Sequence, residues 1–230
     1  MKRKVESQPK IKLYYFNING KGEAIRLYCA YAGLQLEDYR FPNRDEFLAM
    51  KADGTLDFGQ VPMLEVTSTM TTGEIKTQQL VQSSAILRYL SNIAGLHPQN
   101  DHLTAARIDA LMDQETDAFM GATIATYAAR NGISLETEDA KAKTLELLSK
   151  DVLPRHLNHL ERLLKESSTG WLAGTEEPSP PDFQWYCRLA LYLPENSDRF
   201  AIKLEEYPGC EALVKKFQSL DFMKEYAAEK

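Results

Sequence analysis

Apolar residues follow two different patterns along the chain. In the first part, short stretches with alternating apolar positions, typical of strands, are separated by stretches with apolar residues at helical spacing. The predicted strands cover residues 11–16, 36–41, 61–66 and 75–81, and the predicted helices cover residues 23–32, 45–51 and 83–93. The predicted order is therefore β-α-β-α-β-β-α, with the third and fourth strands forming a hairpin.

Beyond residue 95 only the helical periodicity remains. Two long runs, 101–131 and 138–165, are predicted to be helices, with Gly132 capping the first and Pro154 kinking the second. Shorter helices are predicted near 210–219 and 222–228. We expect a polar tail (1–10), a mixed α/β domain (11–94), a linker (95–100) and an all-helical domain (101–230).

A capping box is predicted at the start of one further helix. Ser179 and Asp182 stand three residues apart before an apolar run, and Pro180 occupies the first helical position. The serine side chain can accept from the third helical amide while the carboxylate accepts from the serine amide.

The composition indicates a globular protein that binds neither nucleic acid nor a membrane. The 230 residues carry a formal net charge of −6, whereas nucleic-acid binding relies on clustered Lys and Arg. No stretch of about 18 apolar residues is present, and the basic Lys2, Arg3 and Lys4 precede no apolar segment of a signal peptide. A cytoplasmic location is expected.

The three cysteines, Cys29, Cys187 and Cys210, are interpreted as buried thiols. Their odd number and wide spacing differ from a disulfide framework or a zinc site. A catalytic role for Cys29 is the lesser alternative, since it lies on an apolar helix face.

Two adjacent tyrosines, Tyr14 and Tyr15, end the first predicted strand, before a polar turn and a helix. A phenol at this position is predicted to face solvent while the sheet holds it rigidly. Its hydroxyl can then donate one fixed hydrogen bond to a ligand atom.

Two other features indicate a ligand beside this tyrosine. Val61-Pro62 opens an internal strand where proline is disfavoured, and a cis bond there would leave the Val61 backbone free to pair with an extended peptide. Gln82-Ser83 begins a helix directly after a strand, which creates a carboxylate site, although a simple N-cap role for Ser83 is the alternative. Together these features suit a short extended peptide with a carboxylate and a reactive group.

Two other patterns are weaker candidates. Gly20-Lys21-Gly22 hints at a phosphate loop but lacks the third glycine of the dinucleotide motif. His156 and His159 have a spacing that can present two imidazoles to a metal, but no third ligand lies nearby in sequence, so a solvated helix surface is favoured and no metal is expected.

The chain resembles the cytosolic glutathione transferases in four motifs: LYYFNINGKGEAIRL, FGQVPMLEV, LVQSSAILRYL and SPPDFQWY. The resemblance is strongest to the sigma class and its glutathione-dependent prostaglandin D synthase relatives, and it extends from Lys10 to the C-terminus. It implies a thioredoxin-like domain followed by a helical domain, glutathione as co-substrate, detoxification of small hydrophobic electrophiles as the role, and a homodimer.

In that family the tyrosine directly before Phe-Asn is catalytic. The resemblance therefore selects Tyr15 and implies that its hydroxyl donates to the glutathione sulfur and stabilises the thiolate. Tyr14 then belongs to the opposite strand face, because neighbouring side chains alternate. Phe16 is assigned to the glutathione site by the same match.

The other site residues are also implied by the resemblance. Gln82 and Ser83 match the pair that holds the γ-glutamyl carboxylate, and Val61 with a cis Pro62 matches the backbone clamp on the cysteinyl unit. Two more residues match positions near the charged ends of glutathione. Lys51 matches a lysine near the glycyl carboxylate, and Asp117 matches an aspartate that reaches the γ-glutamyl amine in the partner subunit.

Three expected glutathione contacts depart from the sigma pattern. Lys21 replaces an arginine in the turn after the tyrosine, which weakens any guanidinium role. Phe47 replaces a tryptophan, and Gln60 replaces a lysine. Residues 121–128 also lack the tryptophan that the prostaglandin isomerase presents, so the prediction is restricted to a transferase.

The leading prediction is an enzyme that joins the glutathione thiolate to a small hydrophobic electrophile. A glutathione-dependent isomerase or peroxidase is the alternative within the same chemistry. A non-enzymatic crystallin-like protein or ligand carrier is an alternative of another class. A thioredoxin-like redox protein is disfavoured because no Cys-x-x-Cys motif precedes the first helix.

Overall fold

The computed structural model describes residues 9–70, 72–135 and 137–229. Most of the predicted polar tail, residues 1–8, lies outside the described residues. The chain divides into two compact units, the first ending at Leu96 and the second beginning at His97. The predicted domain and linker bounds stay a prediction.

A four-stranded mixed sheet forms the centre of the first unit. Its strands are β1 (Lys10–Phe16), β2 (Leu36–Phe41), β3 (Met63–Thr69) and β4 (Ile75–Val81), in the spatial order β2-β1-β3-β4. β1 pairs parallel with β2 and antiparallel with β3, and β3 pairs antiparallel with β4. The helices of this unit are α1 (Glu23–Ala32), α2 (Arg44–Ala52) and α3 (Ser83–Ile93).

Burial in the first unit follows the alternation of β1. Ile11, Leu13 and Tyr15 are buried, whereas Lys12 and Tyr14 on the other face are partly exposed. Because successive side chains of a strand point to opposite faces, this pattern places the two tyrosines on different sides of the sheet. The predicted separation of Tyr14 from Tyr15 is therefore present in the fold.

The second unit is built from helices. They are α4 (His102–Thr126), α5 (Glu138–Leu147), α6 (Leu153–Glu166), α7 (Pro180–Tyr186), α8 (Leu193–Glu195), α9 (Pro208–Gln218) and α10 (Asp221–Glu229). Short 3-10 segments cover Ala128–Asn131 and Leu204–Glu206, and π-helical segments cover Leu148–Val152 and Cys187–Tyr192.

Several predicted boundaries are wrong by a few residues, and three of these differences have a clear physical reason. β3 begins at Met63 and not at residue 61, because Pro62 has no amide to donate to the ladder. α4 ends at Thr126, and a 3-10 segment continues to Gly132, which caps it in the left-handed conformation. The long run 138–165 is interrupted by the π segment Leu148–Val152, which ends two residues before Pro154, whose ring and missing amide oppose a continuous helix.

The predicted capping box of α7 is confirmed. Asp182 is fully buried and accepts hydrogen bonds from the Ser179 amide at 2.8 Å, the Ser179 hydroxyl at 2.9 Å and the Leu172 amide at 2.9 Å. The carboxylate thus joins the helix start to the preceding loop. Cys29, Cys187 and Cys210 are buried free thiols, as predicted.

Candidate functional site

Tyr15 is the second-last residue of β1, and its side chain lies on the buried face of the sheet. Only 8% of the residue is exposed, so the prediction of a solvent-facing phenol is wrong for most of the ring. The edge of the ring packs on Phe16, with ring centroids 5.8 Å apart, and the Arg26 guanidinium lies 5.8 Å from the Tyr15 ring centroid. The packing holds the phenol in one place.

The turn between β1 and α1 folds over this ring. The Lys21 amide donates a hydrogen bond of 3.0 Å to the Tyr15 hydroxyl oxygen. Because a phenol that accepts one hydrogen bond can still donate another, this contact orients the hydroxyl and leaves its donor function in place. The Lys21 contact with Tyr15 is made by the backbone, and the Lys21 side chain itself is exposed.

The strand register brings the predicted site features to one edge of the sheet. Tyr14 of β1 pairs with Met63 of β3, which in turn pairs with Val81 of β4. Since β3 runs antiparallel to both neighbours, the next position beyond this row is one residue later in β1 and β4 and one residue earlier in β3. The residues next beyond the row are Tyr15, Pro62 and Gln82.

This edge has the dimensions of a short peptide. Adjacent strands lie about 4.8 Å apart, so three strand ends span about 10 Å. An extended tripeptide has a similar length, at about 3.4 Å per residue. The arrangement therefore places a phenol, a strand start and a helix start within reach of one extended ligand of this size.

The Val61-Pro62 peptide bond is cis, as the resemblance implied. Val61 is half-buried and packs on the apolar cluster of Leu56, Met63 and Val81. The ladder between β3 and its neighbours begins only at Met63, and within the described residues no hydrogen bond involves the Val61 amide or carbonyl. Both backbone groups can therefore pair with a ligand.

Gln82 has an unusual backbone conformation. Its φ of 76° with ψ of 113° is positive for a residue with a side chain, and it is the only such residue outside glycine in the described part of the chain. Strained conformations of this kind persist where the surrounding structure fixes them, and they cluster at functional sites. The sequence contained no signal for it, because glutamine does not favour this region.

Ser83 is the first residue of α3, and Gln82 is the N-cap without a side-chain hydrogen bond. The alternative interpretation of Ser83 as the N-cap is therefore wrong. Ser83 is 6% exposed and lies at the positive end of the helix, where the first amides have no partner within α3. A carboxylate placed there receives several donors at once.

The remaining predicted residues of the first unit, Phe47, Lys51 and Gln60, differ in how far they are buried. Phe47 of α2 is half-buried, and its ring centroid lies 5.1 Å from that of Phe16 and 6.1 Å from that of Phe41. Lys51 and Gln60 are exposed, and the Lys51 chain passes close to Gly59. Phe47 thus has a packing role whatever it contributes to a ligand.

Asp117 belongs to the second unit, where it is exposed on α4. Burial lowers the pKa of His156 below its ordinary value, and the charge of Asp117 only partly opposes this shift.

Sequence reasoning missed a buried ion network behind the tyrosine. Arg26 is 4% exposed; it donates to both carboxylate oxygens of Asp38 at 3.1 and 3.0 Å, and to Glu23 at 3.2 Å. It also donates to the carbonyls of Ile18 and Phe16, at 2.9 and 3.3 Å. The available signal was an arginine on the apolar face of α1, three residues after Glu23. The network fixes the turn that covers Tyr15.

The weaker sequence candidates acquire structural roles. His156 is half-buried and shares a 2.6 Å hydrogen bond with Gln114, whereas His159 is exposed. Among the described residues no group of three or more His, Cys, Asp or Glu is arranged to hold a metal ion. Burial raises the pKa of Cys29 to about 12, which makes this thiol a poor nucleophile at neutral pH.

None of the described helices is long and apolar enough to cross a membrane.

Two family models match the chain. The model described as glutathione S-transferase, N-terminal domain, matches residues 11–92, and that described as glutathione S-transferase, C-terminal domain, matches residues 126–230. With the four-stranded sheet and the helical second unit, these matches confirm the predicted thioredoxin-like domain followed by a helical domain.

Individual relatives agree with the family models. Glutathione S-transferase 1 of Ascaris suum is 34% identical over 166 residues, which is 72% of each chain. Hematopoietic prostaglandin D synthase of Gallus gallus is 30% identical over 212 residues, which is 92% of each chain. A solved structure, prostaglandin synthase D of Nilaparvata lugens, is 28% identical with a TM-score of 0.76, covering 96% of this chain and 98% of its own. The chain belongs to the glutathione S-transferase family and is an enzyme that uses glutathione as its co-substrate.

Proposed function

We propose that this enzyme conjugates the glutathione thiolate to small hydrophobic electrophiles, with Tyr15 as the catalytic residue. The observation that carries the proposal is the shared sheet edge, which places Tyr15, the free Val61 backbone and the start of α3 at adjacent strand ends. Detoxification in the cytoplasm, a sigma-type class and a homodimer are parts of the same proposal, and they rest on the sequence resemblance to the sigma class.

Glutathione would lie along this edge as an additional short strand. The Val61 amide and carbonyl pair with its cysteinyl unit, which presents the sulfur to Tyr15. Gln82 and Ser83 receive the γ-glutamyl carboxylate at the positive end of α3. The other assigned contacts are Phe16, Lys21, Phe47, Lys51, Gln60, Pro62 and, from the partner subunit, Asp117.

One phenol can supply much of the activation that the reaction needs. A free thiol with a pKa of about 8.5 is only a few per cent ionised at neutral pH, and lowering that pKa by about 2 units requires about 2.7 kcal/mol. A hydrogen bond to a charged acceptor contributes about 1.5 to 3 kcal/mol. The hydroxyl of Tyr15 has the right strength for this step, and its contact with the Lys21 amide fixes its position.

The decisive experiment compares Tyr15→Phe with Tyr14→Phe in an assay with glutathione and a halogenated nitroarene. We expect kcat to fall by about ten- to a hundredfold in Tyr15→Phe with little change in glutathione binding, because only the thiolate loses its donor. Tyr14→Phe is the matched control, since that phenol lies on the other face of β1. Equal activities of wild type and Tyr15→Phe would remove Tyr15 from this role.

The wild type must also bind immobilised glutathione and turn over the nitroarene. A wild type without retention or activity would favour the non-enzymatic crystallin-like or carrier function.

Prostaglandin D synthesis is the second candidate, because relatives from Gallus gallus and Nilaparvata lugens carry that name. The absence of tryptophan from residues 121–128 favours the transferase over this isomerase. Direct measurement of prostaglandin D formation beside the conjugation assay separates the two activities.

A further inference from the structure

A largely buried arginine of the second unit has incomplete hydrogen bonding. The Arg188 side chain is 14% exposed, and its Nε donates to Glu115, whose side chain is 4% exposed. Within the described residues this is the only hydrogen bond that the Arg188 side chain makes. Since every nitrogen of a guanidinium is a donor, both Nη atoms lack an acceptor in the described part of the chain.

Arg26 of the first unit shows how a buried guanidinium is satisfied in this protein. It donates to the carboxylates of Asp38 and Glu23 and to two backbone carbonyls. Buried donors nearly always have partners, because an unsatisfied donor costs folding free energy. The contrast with Arg26 indicates that the Nη atoms of Arg188 are open to an acceptor from outside the chain.

Two aromatic rings hold the Arg188 guanidinium in place. Its Cζ lies 4.4 Å from the Phe119 ring centroid and 4.8 Å from the Tyr192 ring centroid. The two rings meet edge to face, with their centroids 5.5 Å apart. Guanidinium groups stack well on aromatic faces because they are planar and weakly hydrated. Since Glu115 fixes Nε at the same time, the Nη donors have a fixed direction before any ligand binds.

A π-helical segment supplies two of these groups. Arg188 and Tyr192 stand four residues apart in Cys187–Tyr192, directly after α7. π-helical turns within helices occur frequently at functional sites. Phe119 comes from α4, and the next residue of that helix, Met120, is 50% exposed. Apolar surface is therefore exposed beside Phe119 along α4.

We propose that Arg188 is the recognition residue of a ligand site in the second unit, and that this site takes a carboxylate attached to a planar apolar group. The two coplanar oxygens of a carboxylate match the two Nη donors of one guanidinium. The aromatic rings and the exposed apolar surface of α4 suit the planar group.

The charges around Tyr192 agree with an anionic ligand. Burial raises the pKa of the Tyr192 phenol, and the charges of Arg188 and Arg199 both oppose this shift. Two cations therefore lie near this ring, whereas Glu115 pairs only with Arg188. In the described part of the chain, the side chain of Arg199 donates to Thr126 and Asn196 and has no carboxylate partner.

Isothermal titration calorimetry with naphthalene-2-carboxylate tests the site without glutathione. The matched probe is naphthalene-2-methanol, which has the same rings and no charge. We expect wild type to bind the carboxylate about tenfold more tightly or better, because only the carboxylate accepts from both Nη atoms. Equal affinities for the two probes, or no measurable binding of the carboxylate, would overturn the proposal.

Two variants separate the paired donors of Arg188 from its charge. Arg188→Lys keeps a cation beside Glu115 but loses the planar pair of donors, so the carboxylate should bind about tenfold more weakly. Glu115→Gln keeps the guanidinium and removes a negative charge, so the carboxylate should bind at least as tightly as to wild type. Arg162→Lys, at an exposed position of α6, is the control and should bind like wild type.

An unchanged affinity in Arg188→Lys would contradict the recognition role. An equal loss in Arg188→Lys and Glu115→Gln would assign the effect to the broken ion pair and would also overturn the proposal. Neither measurement needs conjugation activity. A failure of the proposed function would therefore appear as an inactive wild type, with the binding of the two naphthalene probes unchanged.

Discussion

At the scale of single residues, Gln82 connects backbone strain to binding. Its φ of 76° lies in a region of backbone conformation that residues with a Cβ rarely adopt, and this strain costs about 1 to 3 kcal/mol of folding free energy. We expect Gln82→Gly to be more stable than Gln82→Ala by about 1 kcal/mol, because only glycine relieves the strain. Urea unfolding of the two variants measures this difference.

Both variants lack the amide side chain that we assign to the γ-glutamyl carboxylate, so both should bind glutathione more weakly than wild type. The Ala variant thus controls for the side chain, and the difference between the variants reports only the backbone. Equal stabilities of Gln82→Gly and Gln82→Ala would show that the conformation carries no strain. The sequence predicted the binding role of Gln82 through its motif, but not its conformation, which tertiary contacts impose.

At the scale of elements, the start of α7 depends on one buried carboxyl group. Burial raises the pKa of Asp182 from its ordinary 3.8 to about 6 in the folded protein, against the lowering effect of its hydrogen bonds. The folded protein therefore binds this proton more tightly than the unfolded chain, so the Asp182 contribution to stability falls as pH rises from about 4 to 6. Over this range the loss amounts to about 3 kcal/mol.

Asp182→Asn cannot titrate, so the stability of wild type minus that of the variant should decrease from pH 4 to pH 6 and stay constant above pH 7. Urea unfolding of both proteins at several pH values measures this difference in stability. Asp198→Asn, which removes an exposed carboxyl, controls for the loss of one charge. A constant or rising difference for Asp182→Asn would contradict the raised pKa.

The bounds of a helix or strand were predictable where a residue in the sequence, such as a glycine after a helix, marks its end. α1 and β2 have the predicted bounds, since Gly33 takes a φ of 64° and stops the helix before the next alternating segment. The π segment Leu148–Val152 was not predictable, because its apolar spacing is the same as that of a helix. The Leu148 side chain at the start of this segment packs so closely on Gly121 of α4 that a Cβ at position 121 would overlap it.

At the scale of the whole molecule, the proposed homodimer makes each site depend on two chains. The register of the sheet assembles the Tyr15 edge within one chain, whereas Asp117 is assigned to the partner's glutathione by the resemblance alone. One chain has a mass of 26.1 kDa, so we expect twice this mass in sedimentation equilibrium. Asp117→Asn should weaken glutathione binding by about two- to fivefold without changing that mass, as expected for one exposed charge pair.

Mixed dimers test the sharing of residues between subunits directly. A subunit with Tyr15→Phe still offers Asp117, and a subunit with Asp117→Asn still offers Tyr15, so their heterodimer contains one complete site. Co-expressed and tag-purified heterodimers should show the wild-type KM for glutathione and about half of the wild-type kcat, because only the complete site turns over at the full rate, and neither parent homodimer can give this combination. Asp113→Asn, one helical turn earlier on α4, replaces Asp117→Asn in the control pair. Heterodimers that turn over with the raised glutathione KM of Asp117→Asn would show that each chain supplies its own aspartate. A wild-type glutathione affinity of the Asp117→Asn homodimer would show that Asp117 does not contact glutathione.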